Sequence, residues 1–284
     1  MVLKNIGITG GTGLVGTHLA PFLAKKNFNI IVTSKSNKKN KSNIKYKKLD
    51  LSKKIEEYKL NKIFKNIDCL IHLGAVLPNN KSIKIPYLKT VNLDNVKKLI
   101  DWASKKNILF IFFSTISIFS SKNINYIKYK KKIEKYLLKK KIKYLIIRPS
   151  SIYGAGQKDK TFLIKNIIKI NKKKKLVFYK PFKEKLNFIH AHDVSRAILF
   201  LIRKKKTGIF NLTNDKNLSI PEIIKVLKII FKIPEDKILI EYKKFEKIKK
   251  KKIDSKKINK LGWNCKIKLQ NGIIKSFLNK KIIV

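Results

Sequence analysis

Ile6-Gly7-Ile8-Thr9-Gly10-Gly11-Thr12-Gly13-Leu14-Val15-Gly16 runs from a strand pattern through a glycine-rich turn into an apolar helix, continued by Leu19, Phe22 and Leu23. In that context the glycines acquire mechanical roles. Gly10 permits a tight turn, Gly13 lets backbone approach a pyrophosphate, and Gly16 allows close helix–strand packing. The helix start supplies N–H donors and positive potential to phosphates. The spacing is Gly10, Gly13, Gly16 rather than the commoner G-x-G-x-x-G.

Outward from this turn, short β-branched runs alternate with longer helical patterns, which argues for parallel strands joined by crossover helices. Strands are predicted at 4–9, 29–33, 44–49, 68–73, 108–114 and 143–148, several of them apolar throughout, as expected when helices cover both faces. Helices are predicted near 13–26, 52–62, 86–106 and 126–141. Beyond Arg148 the rhythm loosens, with helices at 161–171, 193–203, 219–231 and 269–278 and short strands between; residues 34–43 and 246–252 read as linkers. Ser219 before Pro221-Glu222 reads as a helix N-cap. The expected fold is α/β: a doubly wound, Rossmann-type parallel sheet over residues 1–150. Residues 151–284 form a smaller C-terminal substrate-binding part, with segments at about 187–212 returning to the core.

The 284 residues include 69 Lys+Arg and 17 Asp+Glu, and 69 − 17 gives a net charge of +52, while 44% are hydrophobic. Such apolar content supports a packed core rather than disorder. A basic surface can bind nucleic acid through counterion release. Only Arg148, Arg196 and Arg203 are arginines, however, and lysine is spread from Lys4 to Lys281 in company with excess Ile and Asn. Nucleic acid is therefore not the expected partner. Cys69 and Cys265 cannot form a disulfide framework, and Cys69 sits in an apolar run as a buried, inert thiol. His190 and His192 lack a Cys, Asp or Glu cluster to complete a metal set, so no metal is expected and they are assigned to the domain junction. No apolar run is long enough to cross a bilayer, the longest (108–119) being interrupted by Ser114, Thr115 and Ser117. The N-terminus passes directly into a strand and leaves no room for a signal peptide, so a cytoplasmic location is expected.

NAD-binding proteins place an acid about twenty residues past the turn, at the end of the second strand, to bond the ribose 2′-OH. Ile31-Val32-Thr33-Ser34-Lys35 has none; Ser34 stands in its place, followed by Lys35 and Lys38. A hydroxyl with cations suits a 2′-phosphate, which slightly favours NADP(H).

Six landmarks occur in order: Thr9–Gly16, Asp50-Leu51, His72-Leu73-Gly74-Ala75, Arg148-Pro149-Ser150-Ser151-Ile152-Tyr153-Gly154-Ala155-Gly156, Asn187-Phe188-Ile189-His190-Ala191-His192-Asp193-Val194, and Leu261-Gly262-Trp263. With them, residues 9–263 resemble the extended short-chain dehydrogenase/reductases, specifically the NAD-dependent epimerase/dehydratase group acting on nucleotide sugars. The resemblance implies cofactor contacts from Gly10, Thr12, Gly13, Leu14, Val15 and Gly16, from Asp50 and Leu51, from Leu73, Gly74 and Ala75, and from Asn92, Lys130 and Pro149. Ser34 and Lys35 join this set from the strand-end reading. It also implies a substrate-bonding hydroxyl after the fifth strand, here Thr115, and a Tyr-x-x-x-Lys pair. Spacing alone does not choose the pair, because Tyr58, Tyr126, Tyr136 and Tyr179 each have Lys four residues on. Position favours Tyr126 with Lys130 and Glu134, which reproduce Y-x-x-x-K-x-x-x-E; Tyr136 remains the alternative.

A phenol's solution pKa of ~10 is too high for a base at neutral pH. The ammonium of Lys130 and an oxidised nicotinamide would stabilise the phenolate, letting Tyr126 act as acid/base for hydride transfer at sugar C4. The family's 4,6-dehydratases carry Asp-Glu directly after the threonine; Ile116 and Ser117 stand there, which disfavours dehydration. A nucleotide-sugar epimerase or an NADPH-dependent 4-ketosugar reductase fits the remaining residues. A non-catalytic dinucleotide-binding protein with a basic anion-binding surface is the alternative of another class. Family helices matching 86–106 and 126–141 often pair, so a homodimer is possible, against the like charge of the second helix.

Overall fold

The computed structural model describes residues 3–41, 43–77, 83–120, 124–158, 161–182, 185–242 and 253–278. The chain forms β1 (Asn5–Thr9), α1 (Leu14–Ala24), β2 (Asn29–Ser34), β3 (Ile44–Lys48), α2 (Glu57–Ile63) and β4 (Cys69–His72). Next come α3 (Ile85–Lys89), a π-turn (Thr90–Asp94), α4 (Asn95–Lys105), β5 (Leu109–Phe113), a 3₁₀ turn (Ile116–Phe119), α5 (Asn125–Leu138) and β6 (Tyr144–Pro149). After β6 lie β7 (Ser151–Tyr153), α6 (Phe162–Asn171), β8 (Leu176–Lys180), β9 (Lys185–Leu186), β10 (Phe188–His190) and α7 (Ala191–Arg203). The last elements are β11 (Gly208–Leu212), β12 (Leu218–Ser219), α8 (Ile220–Phe231), β13 (Ile238–Tyr242), α9 (Lys256–Asn259) and α10 (Leu269–Ile273).

Seven strands form one parallel sheet in the order β11-β6-β5-β4-β1-β2-β3. The fold is the doubly wound α/β sheet expected from the alternating pattern. β4 and β5 are apolar because each face meets a helical layer. On one side α1 packs on α7, and Leu19, Leu23, Ile198 and Leu201 close over Ile8, Ile71 and Ile147. On the other, residues of α2, α4 and α5 (Leu60, Leu99, Ile133) cover Leu70, Phe110 and Phe112. A separate apolar cluster around Leu163, Ile223, Leu227 and Ile273 holds α6, α8 and α10 together. Ser219 and Glu222 form a reciprocal capping box at the start of α8, as Ser219-x-x-Glu222 suggests.

Two helices depart from the periodicity. α2 begins at Glu57 rather than 52, because the Asp50 carboxylate accepts bonds from the Ser52 amide (2.9 Å) and hydroxyl (2.6 Å) and makes a turn instead of a helical start. The span 86–106 is interrupted by the π-turn, which buries both Asn92 and Asn95 (3% and 1% exposed). At the junction with the C-terminal part, His190 Nε2 meets Ser276 Oγ at 2.9 Å and the His190 ring packs edge-on to Tyr153. Buried Asp193 accepts from Lys266 N (3.1 Å), Ile267 N (2.8 Å), the Cys265 thiol and Arg196. Among the described residues no three or more His, Cys, Asp or Glu are placed to hold a metal ion, and no helix is long and apolar enough to cross a membrane. Cys69 is fully buried, and that burial pushes its thiol pKa far up. The predicted linker at 246–252 lies outside the described residues.

Candidate active site

The carboxyl ends of β1 to β6 lie along one edge of the parallel sheet; Gly10, Leu73 and Pro149 lie at the ends of β1, β4 and β6, Thr115 lies two residues past β5, and Ser34 and Asp50 lie at or after the ends of β2 and β3. Gly10 is left-handed (φ 68°) and packs so closely on the Gly74 backbone that a side chain would collide with it. Gly13 N donates to Gly10 O (3.1 Å) and leads into α1, whose first turn contains no acid. Thr12 and Gly13 are exposed, Leu14 and Val15 half-buried, and Gly16 is pressed on the backbone of Gly11. Leu51 packs against the Cα of Gly74, linking the turn after β3 to that after β4, while Leu73 and Ala75 are half-buried beside it.

Asp50 is held below the usual carboxylate range: partial burial raises its pKa, but the two Ser52 bonds and the nearby charges of Lys35 and Lys53 outweigh that. Ser34 is buried and its hydroxyl donates to the Ser36 carbonyl, which leaves lone pairs rather than a proton for any other partner. Asn92 spends its amide on the loop after β4, accepting from Val76 N (2.9 Å) and donating to Val76 O (2.8 Å). Pro149, buried at the end of β6, precedes Ser150.

These residues fit a dinucleotide. The glycine turn leaves no side chain between backbone and phosphates. In addition, His72 Nε2, Ser114 Oγ and Ser150 Oγ, at the ends of the adjacent strands β4, β5 and β6, are buried without a protein partner. Buried polar atoms without partners are unusual in a folded protein and mark where a ligand would complete the bonding.

Thr115 follows β5 in extended backbone and caps the 3₁₀ turn, accepting from Ser117 N at 3.1 Å. Accepting that bond leaves the hydroxyl's own proton available to a substrate oxygen. Tyr126 stands in the first turn of α5, half-buried. Lys130, one turn on and 4% exposed, donates to Phe113 O (2.6 Å), and its Nζ lies 5.6 Å from the Tyr126 ring centre. Burial pulls the Lys130 pKa down to about 7, against the carboxylate of Glu134, which raises it. Tyr136 points elsewhere: its hydroxyl bonds Asp101 (2.7 Å), and Lys97 and Lys140 lie over its ring.

Three features escaped the sequence reading. His72 Nδ1 bonds Thr9 Oγ1 (2.7 Å) across β1 and β4, and burial, with the charge of Lys130, holds the imidazole neutral near pKa 3. Asn95 ties down the turn after Asp50, donating to Leu51 O (2.9 Å) and Lys53 O (2.8 Å) and accepting from Ile55 N (3.3 Å). Arg148 makes a two-point ion pair with buried Glu134 and stacks 5.0 Å over the Phe119 ring. A polar residue inside an apolar run was the available signal for His72; nothing local to Asn95 or Arg148 announces their partners.

The sequence profile of the NAD dependent epimerase/dehydratase family matches residues 6–140 and 127–213, and the chain belongs to that family. It is 25% identical to a putative UDP-glucose 4-epimerase of Methanocaldococcus jannaschii, covering 94% of this chain and 95% of that protein. It is 24% identical to the dTDP-D-glucose 4,6-dehydratase of Dictyostelium discoideum, covering 98% of this chain and 82% of that one. Its fold is that of the UDP-glucuronic acid 4-epimerase of Bacillus cereus in complex with UDP-glucuronic acid and NAD, with a TM-score of 0.81, 19% identity and coverage of 96% and 98%.

Proposed function

We propose that the chain catalyses hydride transfer at C4 of a nucleotide-activated sugar, as an epimerase, with Tyr126 as acid/base, Lys130 as its cationic neighbour and Thr115 as the hydroxyl that bonds the reacting oxygen. The observation that carries this reading is Lys130, sequestered between the Tyr126 ring and the carbonyl of Phe113, two residues before Thr115. A dinucleotide would be held by Gly10, Thr12, Gly13, Leu14, Val15 and Gly16 at its phosphates. Asp50 and Leu51 would flank one end, Leu73, Gly74 and Ala75 the middle, and Lys130 and Pro149 the reactive end. Such a group supplies a hydride acceptor and donor. Asn92 would act by holding the Leu73–Val76 stretch in place.

For the chemistry, the Tyr126 oxygen takes the proton of the sugar hydroxyl while Thr115 donates to the same oxygen. The positive Lys130 lowers the energy of the phenolate. After the sugar has turned over, return of the hydride that the dinucleotide would hold to the opposite face of C4, together with the proton from Tyr126 to the oxygen, would give the epimer. Ile116 and Ser117, directly after Thr115, supply neither acid nor base, which argues against 4,6-dehydration. A 4-ketosugar reductase using NADPH is the second reading, favoured by Lys35, whose charge already reaches Asp50. Ser34 does not strengthen it, since its proton is committed to Ser36. The NADP(H) preference therefore rests on Lys35.

The test is a panel of UDP- and dTDP-sugars and 4-ketosugars, with and without NADPH. Interconversion without net cofactor change is expected for an epimerase; stoichiometric NADPH loss would replace that reading with the reductase. Tyr126→Phe should lower kcat by at least about 10³-fold with cofactor Kd within about twofold of the parent; near-parental kcat would overturn the assignment.

A further inference from the structure

Glu134 and Arg148 are absent from the chemistry above, yet they form the most enclosed ion pair among the described residues that touch the site, with side chains 7% and 15% exposed. Burying such a pair costs desolvation that offsets much of its attraction, so stability alone does not account for its placement. Its geometry connects two site residues. Glu134 lies one helical turn past Lys130 on α5. Arg148, at the end of β6, engages both Glu134 oxygens and lays its guanidinium on Phe119, the last residue of the turn that Thr115 caps.

We propose that Glu134 and Arg148 are positioning residues of the active site: Glu134 sets a carboxylate one helical turn from Lys130, and Arg148, fixed on Glu134, seats the Thr115 turn against α5. This rests on the reading of Tyr126, Lys130 and Thr115 above.

The groups facing Lys130 are few. Tyr126 and Glu134 come from its own helix, the Phe113 carbonyl and the Phe112 ring (4.6 Å) from β5, and His72 from β4, with Arg148 behind Glu134 from β6. His72 is neutral and adds no charge. Burial disfavours the Lys130 ammonium, and among the described residues the Glu134 carboxylate is the charge that favours it. The planar fork of Arg148 also fits the flat face of Phe119, which a lysine would not do.

The experiment measures the pH dependence of kcat in the sugar-oxidising direction for three variants, beside Tyr126→Phe. Glu134→Gln removes the charge, lowers the Lys130 pKa, and should move the alkaline limb down by about one pH unit. The paired variant Glu134→Gln with Arg148→Met carries no unpaired charge and folds by the same packing; it should show the same downward movement. Arg148→Lys keeps the charge but loses fork and stack, so kcat should fall about tenfold with the limb unmoved. A limb within about 0.2 pH units of the parent in both Glu134 variants overturns the charge role, and a parental kcat in Arg148→Lys overturns the seating role. If Tyr126→Phe keeps its activity, it is the underlying reading that fails instead.

Discussion

Gly10 and Gly13 belong to one motif but answer to different constraints. Gly10 is left-handed and lies on Gly74, whereas a methyl at Gly13 would meet only the Gly10 carbonyl at 3.4 Å. Gly10→Ala should therefore cost the fold about 2–3 kcal/mol, read as a lower urea midpoint. Gly13→Ala should leave that midpoint within about 0.5 kcal/mol while weakening dinucleotide binding at least about tenfold in a titration, because the methyl enters the path of the phosphates. The spacing of the first three glycines was legible as a phosphate-binding turn. The demand that Gly74 be a glycine was not, since it comes from the Leu51 side chain, on the turn after β3, which occupies the place a Cβ would take. Ser34 shows the same limit: its place was readable, but the direction of its proton depends on the Ser36 carbonyl.

The elements were legible where one face or both had to be apolar, and β1 to β6 fall within a residue of their expected bounds. What periodicity could not show was the π-turn. It turns Asn92 and Asn95 toward two different loops, one after β4 and one after β3. Because Asn95 satisfies Leu51 O, Lys53 O and the buried Ile55 N, Asn95→Ala leaves these groups without their partner and should cost about 1–3 kcal/mol by denaturant titration. The same change loosens the turn that carries Asp50 and Leu51, so dinucleotide Kd should rise while kcat at saturating cofactor stays near the parental value.

Over the whole molecule the excess of +52 is a standing repulsion. Ion pairs such as Lys105–Glu57 and Lys140–Asp101 are too exposed to offset it. Raising the salt from about 10 mM to about 150 mM shortens the Debye length from about 30 Å to about 8 Å. The melting temperature should rise by several degrees, and a fall would show that specific pairs outweigh the general field. Self-association through α4 and α5, which would bring Lys97 and Lys140 of two copies together, should strengthen over the same range in sedimentation. Composition alone made this charge legible. The arrangement of the C-terminal helices was less so, because their contacts join segments far apart in the chain.

β11 lies at the sheet edge beside β6, but 58 residues separate Pro149 from Gly208, counted as 208 − 149 − 1. A ribosome adding about 5–20 residues per second needs roughly 3–12 s to deliver that stretch. Throughout this interval the nascent chain shows an unzipped β6 border to its neighbours, the kind of border along which unfinished polypeptides coalesce. The lysines that burden the finished protein are then its protection, keeping sister chains on a polysome apart until the seventh strand arrives.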